Sequence, residues 1–451
     1  MERNLFVNFC IDTEGPLYES LDATFERLED LLQINVPRTK ENLELIKNKK
    51  IDLNGKENEA AKILSGHLNQ YNTNWSEIDN MLSNVLTKEF RSKFKDSLGN
   101  NLILNWFIMD HIGYEINPRR RDIGFHNIYD HYIQILKDTS SYEDGLFWHF
   151  HPMSFYKEAH RCATSYTNSI YLYEGLARKI IEREWFPNSF RAGFQTERPD
   201  CNLFLEQWIP YDLSNMSKIE NFTTSDMEGG RLNDWRWAPD DWSIYHPDHD
   251  NYQLIGNMRR YIGRCLNILN RVGNIDEDEV RKAFDRAQHG KQTMLSVAGH
   301  DWRDISIEIE EFYRLIYKVS KDYPEVKIIN SKVDKSFLNC IPNKNNNSND
   351  KIDLNIKAYK QGSTRLKLEI NTISGKVFGP QPFLAIETSS GRFLHDNLDL
   401  GANFSQWTYT FDDESIRVED LKRIGIAAND ANGNTFVKVL NYEEINCNEQ
   451  L

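Results

Sequence analysis

No apolar run in this chain approaches the roughly 18 residues that a membrane-spanning helix needs, so no span is expected. The six cysteines, at positions 10, 162, 201, 265, 340 and 447, form no C-x-x-C pair. Their spacing suggests neither a zinc ribbon nor a disulfide framework, and they read as reduced, mostly buried thiols. There is no excess of positive charge either. Lys and Arg number 54 against 68 Asp and Glu, a net charge of -14. That balance excludes nucleic-acid binding driven by phosphate contacts and favours a neutral or locally steered substrate. A phosphate-cradling glycine loop and a G-x-S-x-G elbow are both missing. The opening Met-Glu-Arg-Asn runs directly into an apolar segment without a signal peptide, so a cytoplasmic location is expected.

What is present suits a large core. The 451 residues are 39% hydrophobic and 12% aromatic, enough for two or three domains. Short apolar segments near residues 5–11, 102–110, 146–151, 189–193, 209–213, 292–299 and 326–329 read as buried strands. Helical patterns lie between them, at 128–136, 158–185, 203–208, 253–272, 277–287 and 303–320. Strand–helix alternation predicts an α/β fold with a parallel barrel or sheet over residues 1–335, interrupted by a helical insertion at about 17–100. An Asn-rich stretch, placed at 336–350, reads as a linker. Beyond it, residues 351–451 alternate apolar and polar with period two, which predicts a smaller antiparallel β-sandwich.

The chemistry-bearing residues gather at strand ends. Phe9-Cys-Ile-Asp-Thr-Glu-Gly-Pro16 closes the first strand with Asp12 and Glu14. In a strand, residues i and i+2 share a face, so two acids project together. Like charges so close call for a cation or a proton between them. Trp148-His-Phe-His-Pro152 repeats the spacing with imidazoles, His149 and His151, whose neutral form suits a transition metal. Two imidazoles and a carboxylate make a three-ligand site of the catalytic type. His160, on the helix expected to follow, is a candidate ligand, a supporting group or a surface residue. Arg191 on the fourth strand could orient an acid or hold an anion. His300 follows a late strand with Asp301 and Asp304 near enough to set its tautomer and raise its pKa, which suits a protonated general acid.

Between residues 215 and 252 lies an aromatic stretch with Trp235, Trp237, Trp242, Tyr245 and Tyr252 beside Asp234, Asp240 and Asp241. It is read either as a sugar-stacking wall or as a packed cover, and its Trp235 and Trp242, with Trp148 of the H-x-H strand, are the candidate substrate contacts. His246 and His249 read as loop residues, with a second metal site as the alternative.

The order of these segments resembles the polysaccharide deacetylase family of carbohydrate esterases. Ile11-Asp-Thr-Glu-Gly-Pro16 is similar to the family's T-F-D-D-G-P motif with one residue inserted. Arg191 matches its third motif, Asp241-Trp242 its fourth, and His300 its last histidine. The likeness covers residues 1 to about 330. It departs in the H-x-H spacing of His149 and His151, in D-T-E for the paired aspartates, and in the lack of a proline after Arg191.

The resemblance implies a deformed (β/α) barrel and metal-dependent deacetylation of an N-acetylated sugar in a surface polysaccharide or its precursor. Asp12 would be the general base, oriented by Arg191, and His300 the acid. Glu14, His149 and His151 would hold a divalent metal, zinc by first choice. In a lipid- or nucleotide-linked precursor, Arg119, Arg120 and Arg121 would meet a phosphate. Two alternatives stand beside it. One is a metal-independent glycosidase pairing Asp12 or Glu14 with Glu197 or Asp110. The other is a non-catalytic carbohydrate-binding or assembly protein on a degenerate scaffold.

Overall fold

The computed structural model describes residues 2–64, 66–110, 112–117, 124–159, 161, 165–218, 235–270, 273–341 and 351–447. Residues 4–340 carry strands and helices in turn. The order is β1 (Asn4–Thr13), α1 (Leu21–Leu32), α2 (Lys40–Lys47), α3 (Glu57–Leu64), α4 (Trp75–Val85), α5 (Lys88–Ser92), β2 (Leu104–Met109), α6 (Asn127–Asp138), β3 (Gly145–Phe150) and α7 (Tyr171–Arg183). Then come β4 (Ser189–Ala192), α8 (Pro199–Trp208), β5 (Tyr211–Asn215), β6 (Tyr261–Arg264), β7 (Leu266–Asn267), α9 (Glu277–Gln288), β8 (Thr293–His300), α10 (Ile305–Ser320), β9 (Lys327–Asn330) and α11 (Val333–Cys340). The strands pair in parallel in the order β6-β5-β4-β3-β2-β1-β8-β7, with β9 added on β1. Only Cys265 separates β6, which pairs with β5, from β7, which pairs with β8. The eight strands therefore form a nearly closed barrel.

Alternation along each strand assigns its two faces. On β1, Leu5, Val7, Phe9 and Ile11 pack outward with Ile78 and Leu82 of α4, Phe284 of α9 and Phe312 of α10. Phe6 and Cys10 point inward, with Phe107, Phe147, Leu213, Met294 and Phe337. The amino-terminal mouth is stoppered by α11 and the turn before it. Asn8 Nδ2 donates to the Ser331 carbonyl at 2.8 Å and to Ser336 Oγ at 2.9 Å. Residues at the other mouth continue the inward series and carry the polar side chains.

Several sequence expectations change here. The helix expected over 253–272 is instead β6 and β7. Its residues close the barrel, and pairing with β5 and β8 outweighs local helical preference. Gly263 faces the interior, where a Cβ would lie 2.5 Å from Met294 Cε and 2.8 Å from Phe337 Cζ. The helix expected from residue 158 starts only at Tyr171. The linker expected from residue 336 starts later, because Val333, Phe337 and Cys340 of α11 are buried in the barrel core. Residues 342–350 lie outside the described residues.

The insertion is helical, as expected. Asn74 caps α4 by accepting from the Glu77 amide, and Ile78, Met81, Leu82 and Val85 give it one buried stripe against the barrel. Helices α1 to α3 bury Phe25, Leu28, Ile46, Ala60 and Leu64 in a small cluster of their own.

The carboxyl-terminal part is a pair of antiparallel four-stranded sheets. One is ordered β10 (Asp353–Lys360), β11 (Leu366–Ser374), β15 (Gln406–Phe411), β14 (Asp399–Leu400). The other is ordered β13 (Phe393–Asp396), β12 (Phe383–Thr388), β16 (Leu421–Asn429), β17 (Thr435–Asn441). Their inner faces share a core of Leu354, Ile370, Leu384, Ile386, Trp407, Ile424 and Ile426. The second sheet is covered on its outer face too, where Phe383, Ala385 and Ala427 pack with Leu176 and Ile180 of α7 and with Trp208. This explains why β12 reads as a continuous apolar run rather than an alternating one. No helix of the described residues is long and apolar enough to cross a membrane.

Candidate metal centre and active site

The inward register of four strands converges at the carboxyl-end mouth of the barrel. On β1, Asp12 is two residues beyond Cys10 and shares its inward face. Across the β1–β8 pairing it stands opposite His300, and across the β3–β4 pairing His149 stands opposite Arg191. Glu14 and His151 follow Asp12 and His149 by two residues each. One period-two pattern thus brings all six side chains to one place.

Arg191 grips Asp12 with two bonds, Nε to Oδ1 at 2.8 Å and Nη2 to Oδ2 at 3.0 Å, while its Nη1 donates to the Leu213 carbonyl at 3.2 Å. Burial pushes the Asp12 carboxyl up. The Arg191 charge and hydrogen bonds, with His149 and His300 as close neighbours, outweigh it and hold the group below its ordinary value. Asp12 is therefore an anion, and both of its oxygens are engaged by the guanidinium.

Glu14, His149 and His151 are all buried, with one ligand atom each inside a 4.8 Å span, so they could hold a metal ion. His149 Nδ1 donates to the Arg191 carbonyl at 2.9 Å. That bond fixes the tautomer and leaves Nε2 with the lone pair a metal needs. The three ligand-atom separations are 2.9 Å between the two Nε2 atoms, 3.4 Å from His151 Nε2 to Glu14 Oε1, and 3.7 Å from His149 Nε2 to Glu14 Oε1. Ligands about 2.0–2.1 Å from a tetrahedral zinc lie about 3.3 Å apart. The donor set and its spacing fit such an ion. The acid grouped with the two histidines is Glu14, while Asp12 is bonded to Arg191.

His300 Nε2 lies 3.8 Å from Asp12 Oδ2. With 14% of its side chain exposed it is the most solvent-facing member of the group, so solvent reaches the site on its side. Burial drives its pKa down to about 4, against the pull of Glu14 and Asp12. It is neutral at neutral pH, which corrects the expectation of a protonated histidine. The cause is that neither expected neighbour serves it. Asp304 caps α10 through the Ser306 amide, and Asp301 turns to the β1 exit instead.

The three tryptophans expected to contact substrate do not form a wall. Trp148 points outward from β3 into a core with Phe150, Phe190 and Phe204. Trp235 and Trp242 are buried in the main core, and their indole N–H groups donate to the Gln195 and Glu279 carbonyls. The stretch is a packed cover, although Trp237 is exposed. Asp241-Trp242, matched to a family motif, lies in it too, with Asp241 bonded to Arg286 at the surface. The carboxylates of the glycosidase alternative are held elsewhere, Glu197 by Arg260 and Asp110 by Lys179, in fully buried pairs. His246 bonds the Arg260 carbonyl, and His249 is exposed beside Asp250. Among the described residues, Glu14, His149 and His151 are the one group of three or more such side chains with metal-ligand spacing. His160, Asp234 and Arg119–Arg121 lie outside the described residues.

Sequence reasoning missed three supporting residues. Trp302 Nε1 donates to Glu14 Oε2 at 3.2 Å. Tyr132 on α6 donates to Asp301 at 2.9 Å. Gly193 leaves room for the His151 ring. Only Trp302 carried a signal, its place directly after His300-Asp301.

Compared with known proteins, the chain matches no protein-family model, no curated protein and no solved structure. Function is therefore read from the site's own geometry.

Proposed function

We propose that this chain is a metal-dependent hydrolase that removes the acetyl group from an N-acetylated sugar of a surface polysaccharide or its precursor, as a divergent relative of the polysaccharide deacetylases. One observation carries the reading. A metal-competent Glu14–His149–His151 group stands beside an arginine-held carboxylate, Asp12, which faces a histidine, His300, across 3.8 Å. Such a set suits amide hydrolysis, which needs an electrophile activator, a base for water and a proton for the leaving nitrogen.

Glu14, His149 and His151 would hold the ion, for which zinc suits the mixed imidazole and carboxylate donors. When bound, such an ion polarises a carbonyl oxygen and lowers the pKa of water. Asp12, kept ionised by Arg191, accepts the proton of the attacking water. Neutral His300 takes that proton from Asp12 and passes it to the departing amine. The products are acetate and the free amino sugar, and both carboxylate and imidazole return to their starting states. The test is acetate release from N-acetylhexosamine oligomers by the zinc-loaded protein. Activity abolished by Asp12→Asn with zinc retained supports the assignment. Activity undiminished in that variant overturns it.

A further inference from the structure

We infer that the tripeptide His300-Asp301-Trp302 is a clamp on the β1 exit and that the helical insertion holds it in place, which makes Asp301, Trp302 and Asn72 positioning residues for the metal ligand Glu14. The inference rests on the metal reading above and extends it to residues that touch no ligand atom of the ion.

Each member of the tripeptide engages a different part of the same acidic turn. His300 faces Asp12. Asp301 accepts the Glu14 amide on Oδ1 at 2.8 Å and the Gly15 amide on Oδ2 at 3.0 Å, so its carboxylate bridges two successive backbone N–H groups. Trp302 then reaches the Glu14 side chain and donates Nε1 to Oε2 at 3.2 Å. Oε1 is the oxygen nearest both histidines. The indole therefore engages the oxygen that faces away from the histidines, while Oε1 lies on their side. A carboxylate on a turn after a strand has several rotamers and a mobile backbone. Fixing both removes the ordering cost that metal binding would otherwise carry.

The clamp is itself secured. Asn72, on the insertion between α3 and α4, donates Nδ2 to the Asp301 carbonyl at 2.8 Å, and its amide donates to the Trp302 carbonyl at 2.8 Å. Tyr71 packs edge-on against Trp302 with ring centres 5.6 Å apart. Tyr132 closes the far side on Asp301 Oδ2. Residues 17–100 thus reach the site through the carbonyls of Asp301, Trp302 and Arg303 and through the Trp302 ring.

The test is Zn2+ affinity of the full chain, measured by competition with a chromophoric chelator, beside the melting temperature of the metal-free protein. Trp302→Phe removes the indole N–H donor and keeps one aromatic ring in its place, so it remains informative where Asp301→Asn fails to fold. Zn2+ binding weakened about tenfold or more in Trp302→Phe, and several-fold in Asn72→Ala, with metal-free melting nearly unchanged, supports the clamp. Undiminished affinity in both variants overturns it while leaving the metal site standing. A wild-type chain that takes no Zn2+ overturns the metal reading and the clamp with it.

Discussion

Arg191 and Asp12 lie 179 residues apart in sequence yet form a two-bond ion pair inside the barrel, both buried, at 2.8 and 3.0 Å. The pair sets the charge state of the whole site. Each partner is what makes the other tolerable away from water.

Removing either partner strands a buried charge. Arg191→Ala is expected to cost about 3–5 kcal/mol of stability, and Asp12→Ala a similar amount. The double variant should lose much less than the sum, because neither charge remains to be desolvated. Urea unfolding of the three variants measures this, and additive losses would contradict the pairing. The proposed deacetylation should fall about a hundredfold or more in Arg191→Lys, which keeps the charge but cannot grip both carboxylate oxygens.

Zinc should raise stability through Glu14, His149 and His151. At a free concentration one hundred times the dissociation constant, the gain is about 2.7 kcal/mol. A chelator removes the gain, and His149→Ala and His151→Ala should never show it. Metal content by mass spectrometry should be one ion per wild-type chain and none in the double histidine variant. Asp12→Asn should retain the ion, since Asp12 is bonded to Arg191 rather than grouped with the histidines.

Gly193→Ala probes the site from behind. A Cβ there would fall 2.3 Å from His151 Cδ2, 2.5 Å from Cγ and 2.7 Å from the His151 Cα. The ring can rotate away, but the backbone atom cannot, so the β3 exit must shift. The expected outcome is a loss of about 1–3 kcal/mol in the metal-free protein and Zn2+ binding about tenfold weaker. Calorimetric titration and melting of the purified variant check both. Unaltered Zn2+ affinity would mean that His151 is not a ligand.

Much of this centre was legible because strand periodicity is simple. Asp12 and Glu14, or His149 and His151, need only a period of two and a buried strand to share a face, and Arg191 and His300 sit on strands readable from their apolar runs. Distances between strands were not legible. Nothing local in Asp12-Thr-Glu14 says that Arg191 will claim the first acid and leave the second to the imidazoles, since β3 and β4 supply that contact. The barrel's closing strands failed for a related reason. Tyr261–Asn267 has charged and apolar residues at spacings that also fit a helix, and only β5 and β8 on either side make it extended. Trp148, Trp235 and Trp242 misled because aromatic content does not distinguish a ligand wall from a packed cover. The sandwich was read correctly from period-two alternation, yet its contact with α7 was hidden in the continuous apolar run of β12.

That contact makes an acid-sensitive point. His395 on β13 stacks on Tyr173 of α7 at 5.1 Å and 7°, and packs against Phe383 and Trp208. Its Nδ1 donates to the Leu384 carbonyl at 2.9 Å. Burial drives its pKa down from 6.5 to about 4, more than the Leu384 bond and the Asp396 charge recover. A histidine depressed on folding favours the folded state while neutral. Its contribution is complete above pH 6.5 and is lost as the pH falls toward 4, where the folded state must be protonated at a cost the unfolded chain does not bear. The loss should be about 1–3 kcal/mol across that window. His395→Phe keeps a ring between Tyr173 and Trp208 and has nothing to protonate. Its unfolding free energy should therefore fall less between pH 7 and pH 4.5 than the wild type's. Equal slopes for the two proteins would show that His395 is not buried neutral at the junction, and that the sandwich meets α7 by some other packing.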